Sequence, residues 1–196
     1  MTAERELFEK QKVELEAFNE ARKRVEENPE SLSAQFMLAA TAAQIGSIED
    51  EINALKKALL LSGDDSRIKS QLAEALTRQA KGQVTKIASN LISEVLERNS
   101  GDIRALYLHG LELFQKGEFR KAISYWKMTA TKILPDSPLA DKLRADVEQA
   151  AKLVKIEIPN LTFLKIPTYS TDEIESKNTQ TTVQNEKFEK YLSLFS

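Results

Sequence analysis

No cysteine occurs among the 196 residues, which excludes disulfide staples, thiolate metal sites and a cysteine nucleophile. The single histidine, His109, removes any His pair and with it most zinc chemistry. Charge of one sign is also lacking: 28 Lys and Arg against 30 Asp and Glu leave a formal net charge of -2, and binding to nucleic acid or an anionic membrane is not expected. Long apolar runs are missing, and the first twenty residues carry Glu and Lys every few positions, so neither a signal nor a transmembrane segment is predicted. There is no GxGxxG, P-loop, GxSxG or metal box, hence no residue on which an enzyme reading can stand and no expected cofactor. What is present is a 41% apolar content in a chain of about one domain's length, sufficient for a core.

The few breakers are placed with regularity. The five prolines are Pro29, Pro135, Pro138, Pro159 and Pro167, which leaves residues 30–134 without one, as uninterrupted helix hairpins require. Five of the six glycines, Gly46, Gly63, Gly82, Gly101 and Gly117, recur at intervals of 17, 19, 19 and 16 residues. That spacing suits a helix of ~13 residues plus a short turn, with each glycine supplying a left-handed cap. Leu106, Gly110, Leu113 and Phe114 share one helical face, and Phe119, Ala122, Ile123 and Trp126 share another. Two such helices make a unit of ~34 residues, and repetition of that unit is the signature of an α-solenoid. Three units are read, over 32–65, 66–102 and 103–137. Overlaying them aligns Ala39, Ala73 and Gly110 at a small position where two helices must approach closely. Leu55, Ile92 and Trp126 align as bulky second-helix residues, with Leu59, Leu96 and Ala130 one turn later. The middle unit is longer around Ala80–Thr85.

The third unit, LYLHGLELFQKGEFRKAISYWKM, resembles a tetratricopeptide repeat (TPR): Gly110, Gly117, Phe119, Ala122 and Ile123 stand at family-preferred positions, with His109 in place of the usual Leu. More narrowly, Leu72 to Leu153, with its GQVT insertion, ALYLHGLELFQKGEF, the YW pair and LPDSP, resembles the periplasmic TPR domain of c-type cytochrome maturation proteins of the CcmI, CycH and NrfG group. The first repeat departs from the pattern, with Glu51 where Ala is usual, and Gly63 and Ser100 replace the repeat-ending Pro. The resemblance implies an all-α solenoid of three TPR hairpins in a non-catalytic protein-binding module. Its implied partners are the C-terminal helix of an apocytochrome c and the haem-ligation proteins, in the periplasm, with any membrane anchor outside this sequence.

The two ends differ from the repeats. Residues 1–31 are read as an amphipathic capping helix, with Phe8, Leu15, Phe18, Ala21 and Val25 along its apolar side. The same residues, Ala21 apart, also fit a heptad seam interrupted by Gln11 and Arg22, so a dimer helix is the alternative. Ser137 as N-cap and Pro138 at the first helical position open a second capping helix over 138–154, striped by Leu139, Leu143, Val147, Ala150 and Val154. Residues 155–196 form an aromatic-containing tail: KIEIPNLTFLKIP is expected to be extended, 172–186 a polar linker, and Phe188, Tyr191, Leu192 and Phe195 one stripe of a terminal helix. Five aromatics in this stretch predict that the tail finds a surface.

In a solenoid of this kind the first helix of each hairpin lines the concave face. The overlay assigns to a peptide-binding groove Phe36, Ala40 and Ala43, then Arg67, Ser70, Glu74 and Thr77, then Arg104, Tyr107, Leu111 and Phe114. A helix with an apolar face suits this mixture, and Arg67 and Arg104 are the cations able to pair with a carboxylate. The Lys and Asn clamp of TPR chaperone cofactors is missing at Phe36, Ala40 and Gln71. Trp126 and His109 are read as structural, and Asp64, Asp65 and Glu49 to Glu51 as acids at helix starts, where the macrodipole favours them. The second reading of the whole is an assembly scaffold whose tail docks in its own or a neighbouring groove, by self-association.

Overall fold

The computed structural model describes residues 3–165 of the chain. These form eight α-helices and no strand: α1 (Ala3–Glu27), α2 (Leu32–Ile45), α3 (Ile48–Ser62), α4 (Ser66–Gln79), α5 (Lys86–Arg98), α6 (Ile103–Gln115), α7 (Phe119–Ala130) and α8 (Pro138–Leu153). Their starts are written locally. The side chains of Ser31, Asp65, Thr85, Asp102 and Ser137 each accept a backbone N–H from the first turn of the helix that follows, satisfying a donor that would otherwise have no partner.

Their ends are less uniform than the glycine spacing predicts. Gly46 closes α2 in the left-handed region, with its own N–H and that of Ser47 donating to Ala43 and Ala42 carbonyls at 3.3 and 2.9 Å. Gly63, Gly82 and Gly117 also have positive φ, but Gly101 does not. There α5 stops at Asn99, whose side-chain oxygen accepts the Gly101 N–H at 3.1 Å. An Asx-type turn therefore replaces the left-handed cap at this one junction.

Helices α2–α3, α4–α5 and α6–α7 pack as three hairpins, with α1 against α2 and α8 against α7. The small-residue alignment explains how the pairs close. Ala39, Ala73 and Gly110 are all buried, and so are Leu55, Ile92 and Trp126 on the second helices. Two apolar cores result, one from α1–α4 and one from α4–α8, with Leu76 and Leu91 packed against both. Only the C-terminal half of α1 takes part: Phe18 and Ala21 are buried and Val25 half-buried, while Leu7, Phe8 and Leu15 on the preceding turns remain exposed.

Beyond α8 the chain is extended, as the prolines and β-branched residues predict. Residues 156–164 fold back as a strap, tied by Ile156 N–H to the Ala151 carbonyl at 3.1 Å and Leu164 N–H to the Ile133 carbonyl at 2.9 Å. Ile156, Leu161 and Phe163 lie half-buried on the second core, and the Arg144 guanidinium sits 4.6 Å from the Phe163 ring centroid. The predicted linker, Tyr169 and the stripe from Phe188 to Phe195 lie outside the described residues.

Candidate functional site

The inner face of the stack carries two adjoining clefts. One, of about 390 Å³, is lined by Ala39, Ala40 and Ala43 of α2, Glu51 and Leu55 of α3, Gln71, Glu74 and Arg78 of α4, and Arg104 of α6. The other, of about 410 Å³, is lined by Glu74, Ile103, Arg104, Tyr107, and Leu139 and Lys142 of α8. Glu74 and Arg104 belong to both and are ion-paired to each other, so this pair stands between the two lobes.

Of the residues assigned from sequence, Ala40, Ala43, Glu74, Arg104 and Tyr107 meet here. Phe36 is half-buried against the first core instead. Arg67 points away into solvent and binds its own helix's N-cap, Asp65, at 2.9 Å, an arrangement that lowers the Asp65 pKa and raises that of Arg67. Ser70 and Thr77 are buried, their hydroxyls donating to the Arg67 and Ala73 carbonyls of the same helix at 3.1 and 2.8 Å, so neither offers a surface to a ligand. The line of α4 that reaches the cleft is instead Gln71 and Glu74, both half-buried, and the exposed Arg78, at i, i+3 and i+7. On α6, Leu111 and Phe114 turn into the second core. Phe114 meets Phe119 and Trp126 with ring centroids 5.2 and 5.8 Å apart, across the tip of the α6–α7 hairpin.

Tyr107 is only 7% exposed because α8 covers it. Its hydroxyl donates to Asp146 at 2.7 Å, and the Lys142 ammonium lies 5.1 Å from its ring centroid. Burial, reinforced by the Asp146 carboxylate, pushes the phenol above its ordinary range, so it stays a neutral donor. Ile103, Tyr107 and Leu139 form the apolar wall of this cleft.

Charges elsewhere are occupied by structural work. Glu51, a helix-start acid by sequence, is buried and takes Arg78 at 2.5 Å, with its second oxygen unpartnered. Lys69, sealed at 6% side-chain exposure, joins Asp64 and Glu94, and Asp64 also takes Arg98; these contacts lower the Asp64 pKa and raise that of Lys69. His109 has a partner the sequence reading lacked: its Nδ1 lies 3.2 Å from Glu112, which also accepts from Ser89 and Lys116 at 2.6 Å each. Burial opposes the Glu112 charge, but these donors together hold its carboxyl below the usual range. The His109 ring also meets Tyr125 edge-on at 4.5 Å. Among the described residues, no cluster of three or more His, Cys, Asp or Glu is arranged to hold a metal.

Among the cleft residues not assigned from sequence are Glu51, Gln71, Arg78, Ile103, Leu139 and Lys142. A signal existed for Gln71 and Arg78 in their spacing about Glu74. None existed for Leu139 and Lys142, because α8 meets the α6 residues at this cleft only through tertiary packing.

Comparison with known proteins agrees with this architecture. The family model for the TPR domain of cytochrome c-type biogenesis protein H matches residues 5–140. CycH of Bradyrhizobium diazoefficiens is 27% identical over 114 residues, which cover 58% of this chain and 31% of that protein. CcmH of Escherichia coli is 25% identical over 129 residues, 66% of this chain and 36% of that one. The chain thus spans about a third of the length of these relatives. In fold it is similar to the crystal structure of MamA, with a TM-score of 0.55 at 20% identity, covering 89% of this chain and 90% of that one. An all-helical stack of three hairpins, matched by that family model over most of its length, belongs to the TPR domain family of cytochrome c-type biogenesis proteins.

Proposed function

We propose that this chain is a non-catalytic holding module in c-type cytochrome maturation, whose inner face receives the C-terminal helix of an apocytochrome c for haem-ligation proteins. The observation that carries the reading is the inner face itself. Small residues (Ala39, Ala40, Ala43) floor one lobe and apolar walls (Ile103, Tyr107, Leu139) form the next, with side chains of both charge signs between them. A helix with one apolar stripe can bury that stripe there at ~25 cal/mol per Å², less the cost of ordering the partner. Family membership supports a place in this pathway, and the resemblance favours the periplasm as the compartment. No helix among the described residues is long and apolar enough to cross a membrane. Haem is not held by the module in this reading; the partner's polypeptide is.

Calorimetric titration of the full chain with C-terminal peptides of c-type apocytochromes tests the proposal. Binding tighter than ~100 μM, or about -5.5 kcal/mol, is expected. No heat at that concentration, together with no competition against an internal apocytochrome segment, sinks it.

A further inference from the structure

The two lobes differ in charge. In the lobe floored by alanines, Glu51 and Glu74 are matched by Arg78 and Arg104. The second is lined by two bases, Arg104 and Lys142, and one acid, Glu74, which already holds Arg104, with a second acid, Asp146, behind the Tyr107 wall. Lys142 has no ion-pair partner among the described residues. On α8, Asp141 pairs with Arg144 at 2.7 Å, and Asp146, one turn from Lys142, accepts the neutral Tyr107 hydroxyl and keeps its negative charge. An ammonium with no ion-pair partner among the described residues, resting over the Tyr107 ring, therefore stands at the rim of an apolar cleft.

We infer that this second lobe is the subsite for the free C-terminal turn of the partner helix, which fixes the direction in which the partner lies. A large apolar side chain of its last turn rests between Ile103, Tyr107 and Leu139, and its terminal carboxylate meets Lys142, with Arg104 at the inner edge. A helix C-terminus suits two bases twice over. It brings the negative end of the macrodipole with unpaired carbonyl acceptors, and the α-carboxylate adds a full charge. The opposite orientation sets the positive end of the helix against Lys142 and Arg104. The preceding turns of the partner then run along Ala43 and Ala40, where the small side chains admit a close helix and the balanced charges impose no polarity. Arg67, the other cation singled out from sequence, is committed to Asp65 and takes no part.

This inference rests on the proposed peptide-holding role, and one titration series separates the two. The probe is an apocytochrome C-terminal peptide of ~20 residues, ~30 Å if helical, made as the free acid and as the C-terminal amide. It is titrated into the full chain as wild type, Lys142→Gln and Lys127→Gln. Lys142 and Lys127 are both exposed, so both variants fold, and Lys127 on α7 controls for the loss of one positive charge. The expected result is amide binding about five- to tenfold weaker than acid to wild type and to Lys127→Gln. For Lys142→Gln the acid should weaken by a similar factor, with acid and amide no longer distinguished. Equal binding of acid and amide to wild type overturns the subsite while leaving the holding role intact. Discrimination that survives in Lys142→Gln does the same. If Lys142→Gln weakens both forms equally, the partner's carboxylate is a side chain and the terminal assignment fails. Failure of both peptides to bind wild type defeats the holding role itself.

Discussion

Replacing Gly110 with alanine sets two physical effects against each other. Gly110 is in the middle of α6 with no positive φ, so alanine there gains ~1 kcal/mol of helix propensity. The added Cβ, however, lands 2.4 Å from Trp126 Nε1, 2.5 Å from Cδ1 and 3.0 Å from Cε2. The indole has nowhere to go: it is 1% exposed, its N–H donates to the Tyr107 carbonyl at 3.2 Å, and Phe114 packs on it. Overpacking of a rigid interior costs ~1–3 kcal/mol, and contact with a buried ring belongs at the upper end. The net expectation is a loss of ~1–2 kcal/mol, which for a chain of this size lowers Tm by roughly 2–8 °C. Urea unfolding followed by circular dichroism and by the emission of Trp126, the one tryptophan, measures it. Combining the change with Trp126→Phe, which trims the ring, should give a double mutant less destabilised than the sum of the singles. A Gly110→Ala protein as stable as wild type, or more so, refutes the close-approach reasoning outright.

Acid sensitivity should trace in part to Glu112. Its folded pKa is lowered, so its stabilising contribution is present above the unfolded value of about 4.5 and is lost as pH falls through the folded one. Glu112→Gln should therefore lose stability at pH 7, with the gap from wild type narrowing as pH is taken below ~4 in urea titrations. Lys69→Ala removes a sealed ammonium shared by two carboxylates that keep partial access to water, and should cost ~1–2 kcal/mol in the same assay. Gln115 bridges the α4–α5 turn, donating to the Gly82 carbonyl at 2.7 Å and accepting the Val84 N–H at 2.9 Å. Gln115→Ala should cost ~1 kcal/mol and speed amide exchange at Val84. Phe163→Ala, which frees the strap and its Arg144 contact, should cost ~1–2 kcal/mol and speed exchange at Leu164; an unchanged rate there would mean the strap is held by other contacts.

The helices were legible because their signals are local. Ser137 announces a start by chemistry that needs only the next three residues, Pro138 confirms it, and Asp65 marks another. The solenoid was legible because a small residue opposite a bulky one, as in Gly110 and Trp126, must repeat wherever two helices close. The groove was less so. A helix turns ~100° per residue, so the cleft-lining line of α4 through Gln71, Glu74 and Arg78 lies beside Ser70 and Thr77 rather than on them, and one position separates a cleft residue from a buried one. Phe114 belonged by sequence both to the packing face with Gly110 and to the groove, and only the position of Phe119 decides between them. Glu51 and Arg78 are 27 positions apart and gave no local hint of pairing. Lys142 owes its place beside Tyr107 to the packing of α8 next to residues of α6, which no window of sequence contains.

The sharing of Leu76 and Leu91 between two cores makes the α4–α5 hairpin a mortise on which both ends of the molecule depend. Neighbour-only coupling means that fraying begins at the outer helices and is arrested there. Should that hairpin open transiently, the alanine floor and the aromatic wall part company, because one stands on each side of it. A guest long enough to touch both sides then works as a splint, and the slowest-exchanging amides of the loaded molecule should be those of its centre.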